Sequence, residues 1–498
     1  MATLKKIATL STILFALWGT AQPVAYTAQT TYKGIKINAA VDGYLGVPYA
    51  EPPIGQLRFA PPQPVRRNQS RSVVRASAFG PVCHQFHYKT VFGGNLLETS
   101  GQSEDCLTLN IFVPRRRYGK KLLPVFVWSY GGAFGEGGGS VPLFNPTGFV
   151  ENNKDIIVVT WNYRLSIFGF PAAPNRPANL GLRDQRAALE WLQDNIRAFG
   201  GDAARIVLGG QSAGADSIAA MMYTHANDPI AAGLILQSGI PEYIGESDGR
   251  EWRRLTAAVG CRPDDLDCMR RVPAETLHHA VSNETFNRFG DPSGGGPIVD
   301  NVTHFSVQEY LRRGERGEFA RVPTLMGITD NEGNGAVNWD PFHGVNQSLS
   351  ETLTTTFFNC PMAREASFRV KQGVPTWRYR YKGVFPSVTP YPWLGAYHSA
   401  DIPFILGSPV RRPDGSIATL LPYEVAARRY LQSSFAAFIR DPVRGLEVDM
   451  GWPRYNETGK ALIELFAGNS TNASFVDATT YDAPCANPPP ICWECYVS

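Results

Sequence analysis

The chain has 498 residues and a mass of 54.7 kDa. With 43% hydrophobic and 18% charged residues it carries ample material for a core, which excludes an extended disordered chain. A net charge of +3, with both signs interspersed, supplies no field for gripping nucleic acid.

The first residues, MATLKKIATLSTILFALWGTAQ, place Lys5 and Lys6 before an apolar stretch that begins at Ile7 and ends at Gly19-Thr20-Ala21. That is the layout of a secretory signal, residues 1–21, cut after Ala21. A membrane span needs about 20 apolar residues. This stretch is shorter and is broken by Thr9, Ser11 and Thr12. No later segment is long and apolar enough to span, so no stable membrane span is expected. Seven Asn-x-Ser/Thr sequons, at Asn68, Asn283, Asn301, Asn346, Asn456, Asn469 and Asn472, are candidate glycan sites once the chain enters the secretory route. Eight cysteines in that route allow up to four disulfides. Cys492-Trp493-Glu494-Cys495 has no nearby His and no second CxxC, so it is not read as a zinc site.

The basic run PRRRYGKK (114–121) lies between apolar segments and reads as a solvated loop. After it the chain alternates. LLPVFVWS (122–129) and DIIVVTW (155–161) are apolar, β-branched runs suited to strands buried on both faces. In 180–199, Leu182, Leu189, Leu192, Ile196 and Phe199 recur at helical spacing. RIVLG (205–209) reads as a strand, ADSIAAMMYT (215–224) as a helix and AGLILQS (232–238) as a strand. Strands alternating with helices predict an α/β fold with parallel pairing and crossover helices. Residues 240–320 and 340–440 mix Arg-rich helical stretches with loops and read as insertions over that sheet.

Two segments fit Gly-x-Ser-x-Gly: GQSAG around Ser212 and GESDG around Ser247. A nucleophile elbow needs a strand ending in a sharp turn, then a helix whose N-terminus faces the developing oxyanion. Ser212 has both, and Ala213 supplies an N–H to the oxyanion. Ser247 follows PEYIGE rather than a strand, and Asp248 would set a carboxylate where negative charge must develop. Ser247 therefore reads as a loop or N-cap serine, and Ser212 as the nucleophile.

A serine hydroxyl needs a base, and in α/β-hydrolases the acid and then the histidine follow the nucleophile along the chain. The acid candidates are Asp330 and Glu332, at the end of VPTLMGITDNEG (322–333). Beyond them lie only His343 and His398. His343, three residues from the Asn346 sequon, reads as exposed. His398 stands among apolar residues in WLGAYHSADIPFILG (393–407) and is the base candidate. Strand VFVW (125–128) runs into SYGGAFGEGGG (129–139), whose glycines permit the close backbone approach an oxyanion hole requires. Gly132 and Ala133 are the expected donors, joined by Ala213. No Gly-Lys-Ser/Thr ends this loop, which argues against a phosphate cradle.

These residues resemble the type B carboxylesterase/lipase family, which includes cholinesterases and secreted fungal lipases. The resemblance runs through YLGVPYAEPPIGQLRFAPPQP (44–64), EDCLTLNIFVP (104–114), YGGAF (130–134), NYRLSIFGF (162–170) and NLGLRDQRAALEWLQDNIRAFGGD (179–202). It continues through GQSAGADS (210–217), LILQSG (234–239), DNEG (330–333) and GAYHSADIPFILG (395–407). It implies an α/β-hydrolase fold, with residues 22–498 as one catalytic domain carrying inserted helical regions. It implies Ser212, Glu332 and His398 as the triad, Gly132, Ala133 and Ala213 as the oxyanion hole, and Ser238 as a hydroxyl beside the acid. Disulfides Cys83–Cys106 and Cys261–Cys268 follow from the same resemblance, while Cys360, Cys485, Cys492 and Cys495 could pair in three ways.

The chain also departs from the pattern. Gln211 stands where many members carry glutamate, and Tyr-Gly-Gly-Ala where His-Gly-Gly-Gly is common. The loop 84–105 holds no Trp, which speaks against choline binding, though Phe86, Tyr88, Val91, Phe92, Leu96 and Leu97 could line a gorge. The expectation is a secreted, extracellular serine carboxylesterase acting on small-molecule or lipid esters, without metal or organic cofactor. Its rivals are a triacylglycerol lipase, a dedicated esterase of a plant or secondary-metabolite ester, and an inactive binding module.

Overall fold

The computed structural model describes residues 22–66, 72–85, 101–115, 121–242, 249–282, 296–340, 342–412 and 415–489. The signal segment, Asn68, Asn283, Ser247, the aromatic residues of the 86–97 stretch, Cys492 and Cys495 lie outside the described residues.

Eleven strands form one sheet. In chain order they are β1 Ile35–Lys36, β2 Val41–Pro48, β3 Thr108–Pro114, β4 Leu123–Ser129, β5 Ile157–Trp161 and β6 Gly201–Gln211, then β7 Gly233–Gln237, β8 Thr324–Thr329, β9 Thr376–Tyr381, β10 Leu462–Leu465 and β11 Ala473–Val476. Across the sheet they run β11-β10-β9-β8-β7-β6-β4-β5-β3-β2-β1. Pairing is parallel from β10 through to β5. It becomes antiparallel at both margins, where β11 closes one edge and β3, β2 and β1 the other. The parallel centre is what the strand–helix alternation predicts, and the whole is the α/β-hydrolase sheet that the resemblance implies.

Strands β5, β7, β8 and β9 are buried at every position, so helices and loops cover both of their faces. Trp128, Trp161, Trp377 and Trp452 are among the largest fully buried side chains of the core. Helix α1, Leu180–Asn195, turns Leu182, Ala188, Leu189 and Leu192 inward, and a 3₁₀ turn at Ile196–Phe199 continues it to Gly200 in the left-handed conformation. Helix α2, Ala213–Thr224, begins directly after β6.

All six elements expected between residues 122 and 238 are present, with β6 and α2 longer than their sequence cores. The expectation that 340–440 is insertion alone is corrected, since β9 is a central strand of the sheet. Its sequence, TWRYRY, hides a buried strand behind two arginines. Arg378 is held by Asp482 and Asn359, and Arg380 by Asp330, so both charges are satisfied inside. Among the described residues three disulfides join Cys83 to Cys106, Cys261 to Cys268 and Cys360 to Cys485. The sequons at Asn301, Asn346, Asn456, Asn469 and Asn472 are exposed. No helix among the described residues is long and apolar enough to cross a membrane.

Candidate active site

Ser212 sits between β6 and α2 with φ 53° and ψ −127°, a conformation that costs a residue with a Cβ. Its N–H donates to Gln237 O of β7 at 2.8 Å, which fixes the turn to the sheet. The flanking glycines are required sterically. A Cβ on Gly210 would stand 2.6 Å from Gly214 C, and one on Gly214 would stand 2.2 Å from Ser129 O. Ala213 opens α2, so its N–H is one of the helix's first donors without an intrahelical acceptor.

The loop after β4 passes just above this turn. A Cβ on Gly131 would fall 2.7 Å from both Gln211 O and Ser212 Cβ. Gly132 (φ 113°) and Ala133 (φ 50°) then turn the chain, and the N–H groups of Gly135 and Glu136 bond back to Gly132 O. The loop is braced from two sides. Tyr130 stacks on Tyr163 at 4.6 Å, and the Tyr163 hydroxyl donates to Tyr130 O. Burial pushes both phenols well above their ordinary pKa, so they stay neutral. Gln85, buried beside Cys83, donates to Gly137 O and accepts from Gly137 N–H, tying the base of the Cys83–Cys106 loop to the same segment.

Glu332 opens a turn just after β8 and His398 lies in the segment after β9, and the two segments meet side by side. Asn331 N–H donates to Ala396 O, Ala396 N–H donates to Asn331 Oδ1, and Asn331 and Tyr397 form a parallel bridge. The pair that results is close: His398 Nδ1 lies 2.5 Å from Glu332 Oε2. Glu332 is fully buried and its other oxygen accepts from Ser238 Oγ at 2.6 Å and from Thr329 N–H at 2.7 Å. Asp330, the alternative acid, is turned away onto Arg380 at 2.5 Å. His343 is exposed and pairs with Asp340.

Three further groups surround His398, and of these only Gln211 stood out in the sequence. Phe358 lies against the imidazole at 5.3 Å. Asp401, 1% exposed, accepts from Gln237 Nε2 at 2.9 Å, and burial raises its pKa to about 6, with Glu332 adding to the rise. Gln211 reaches His398 Nε2 at 2.9 Å. Among the described residues no hydrogen bond joins Ser212 Oγ to His398. On α2, burial pushes Asp216 up to about 7, with Glu242 adding to the shift. No group of His, Cys, Asp and Glu suited to a metal ion occurs among the described residues.

A serine turn at the end of a central parallel strand, with its neighbours at the carboxyl ends of β7, β8 and β9, is the arrangement of an α/β-hydrolase. Comparison with known proteins narrows that class. The model of the carboxylesterase family matches residues 21–348 and 340–482. A chlorogenic acid esterase of Aspergillus niger is 38% identical over 472 residues, covering 89% of either chain. Secreted lipase 5 of Gibberella zeae is 33% identical over 480 residues, covering 87% of this chain and 88% of that one. An acetylcholinesterase of Bungarus fasciatus is 27% identical over 497 residues, covering 86% of this chain and 80% of its own. The chain belongs to the carboxylesterase family, and it is a carboxylic ester hydrolase.

Proposed function

We propose that the chain is a secreted serine esterase that works through an acyl-enzyme, with Ser212, His398 and Glu332 as its triad. The observation that carries this reading is the 2.5 Å bond from buried Glu332 to His398, beside a serine held at φ 53°. Ser212 Oγ attacks the ester carbonyl while His398 Nε2 takes its proton. The tetrahedral oxyanion is met by the N–H groups of Gly132, Ala133 and Ala213. Collapse breaks the ester C–O bond, and His398 returns the proton to the leaving alkoxide, releasing the alcohol. Water then repeats the sequence on the acyl-enzyme, giving the free acid and restoring Ser212. Glu332 stays ionised, holds the Nδ1–H tautomer and stabilises the imidazolium, while Ser238 and Thr329 N–H hold Glu332.

Secretion is supported by the signal layout of residues 1–21, three disulfides and exposed sequons. The substrate reading is a small-molecule ester, with a dedicated plant or secondary-metabolite ester supported by the chlorogenic acid esterase relative. A lipase is the second reading, supported by the relative named Secreted lipase 5. Hydrolysis of a short-chain chromogenic ester by wild type and by Ser212→Ala tests the mechanism. Ser212→Ala is expected to lose at least about 10³-fold in turnover with the fold intact, and Ser247→Ala to change little. Retained turnover in Ser212→Ala overturns the reading. Rate against substrate concentration then separates the substrates, since a jump at the emulsion boundary marks a lipase and smooth saturation an esterase.

A further inference from the structure

Gln211 ends β6, is 2% exposed, and directly precedes the serine. Its amide nitrogen lies 2.9 Å from His398 Nε2. The proton positions on this chain of bonds are determined by elementary chemistry. Ionised Glu332 can only accept, so Nδ1 of His398 carries a hydrogen and donates it. In the neutral ring Nε2 then holds the lone pair, and in this resting arrangement the Gln211 amide N–H is the donor to it, a bond that must open before the Ser212 hydroxyl can donate to the same lone pair. The amide therefore bonds the neutral imidazole and offers a positive hydrogen to the atom that must be protonated to form imidazolium. Its oxygen packs beside the oxyanion loop, where a Cβ added to Gly131 would stand 2.8 Å from Gln211 Oε1.

The other charged or titratable groups facing His398 favour the imidazolium. Glu332 sits on Nδ1, and Asp401 adds a second carboxyl from the segment that follows the histidine. Phe358 covers a ring face and carries no charge. Gln211 is thus the neutral member of the set, placed on the catalytic nitrogen itself.

Resting on the Ser212–His398–Glu332 reading, we propose that Gln211 is a positioning residue that holds His398 as the neutral Nδ1–H tautomer and so extends catalysis to lower pH. A carboxylate at this position would have no hydrogen to give to the lone pair of Nε2 and would favour its protonation. An opposite charge within about 4–6 Å shifts a pKa by about 1–3 units.

The test is the pH dependence of kcat/KM for wild type, Gln211→Glu and Gln211→Met, with folding checked by thermal melting. In Gln211→Glu the acid limb is expected to move up by about one pH unit or more, with a loss of about tenfold on that limb. Gln211→Met, which keeps the volume without donor or charge, is expected to move the limb up by less than half as much. An unmoved or lowered limb in Gln211→Glu overturns the inference, as does an equal shift in Gln211→Met. Should Gln211→Glu fail to fold, an acid limb in Gln211→Met identical to wild type overturns it instead, and a small upward shift supports it. Ser212→Ala keeps the two ideas separable. Turnover surviving in Ser212→Ala sinks the triad, whereas an inactive Ser212→Ala with an unmoved Gln211→Glu limb sinks only the role of Gln211.

Discussion

Replacing Asp401 by Asn is expected to stabilise the protein at pH 8 relative to pH 4. Asp401 is 1% exposed, and burial raises its pKa from 3.8 to about 6. Unfolded, the carboxyl returns to about 3.9. Below that value it is protonated in both states and costs nothing. Between about 4 and about 6 the unfolded chain releases the proton while the folded one retains it, so stability falls as pH rises. Above about 6 the full cost is present: about two units at 1.36 kcal/mol each, or about 3 kcal/mol. Asn carries no such charge. Its Oδ1 can still accept from Gln237 Nε2, while its Nδ2 takes the place of Asp401 Oδ1, which has no partner. That unpaired amide costs about 1–3 kcal/mol, but the cost is present at both pH values and cancels in their difference. Urea unfolding of Asp401→Asn and wild type at pH 4 and pH 8 measures the difference directly. The expected outcome is a variant favoured by about 2–2.5 kcal/mol more at pH 8 than at pH 4, because about half of the unfolded carboxyls are already ionised at pH 4. Equal effects at the two pH values would refute the claim that the buried charge is a cost.

Ser238→Ala removes the hydroxyl that Glu332 Oε1 accepts from at 2.6 Å. A bond to a charged acceptor contributes about 1.5–3 kcal/mol, so kcat should fall by about ten- to a hundredfold with little change in KM, as steady-state kinetics will report. Gly131→Ala forces a Cβ to within 2.7 Å of Gln211 O and Ser212 Cβ, and displacing the oxyanion loop should cost at least about 10² in kcat. The double variant Cys360→Ser/Cys485→Ser opens a bridge across 125 residues. Chain entropy predicts a loss of about 4–5 kcal/mol in urea unfolding.

The serine turn was legible because it is local, whereas Glu332 and His398, 120 and 186 residues further on, were reached only through chain order and the family resemblance. A strand, a glycine-bounded turn and a helix follow one another within 205–224, and their meaning does not depend on distant residues. What the sequence hid depends on long-range pairing. Strand β9 went unread because Arg378 and Arg380 break its apolar pattern, and only the fold brings Asp482 and Asp330 to them. The Cys360–Cys485 bridge follows the same neighbourhood, since Asn359 binds Asp482 and Tyr481 O beside it. Gln211 was visible as a departure from a common glutamate, but its bond to His398 exists only because Asn331 draws the 395–398 segment onto the end of β8.

The site also concentrates backbone conformations that residues with a Cβ avoid. Ala133, Phe134, Ser166, Ser212, Ser238 and Ser399 all have φ from 50° to 80°, the left-handed region. Each costs about 1–3 kcal/mol and survives only where its surroundings over-determine it. The surroundings here are strands and loops at the carboxyl end of the sheet. Ser212 N–H is held by Gln237 O, Ser238 N–H by Gly327 O and Ser166 N–H by Phe134 O, each at 2.8 Å. Gln237 belongs to β7 and Gly327 to β8, so the serine turn and the support of its acid are registered by one parallel ladder. A shift of β7 against β8 would therefore move Ser212 and Ser238 together, and Glu332 with them through the Ser238 hydroxyl. The geometry of the Glu332–His398 pair is therefore tied to sheet register as well as to the loops.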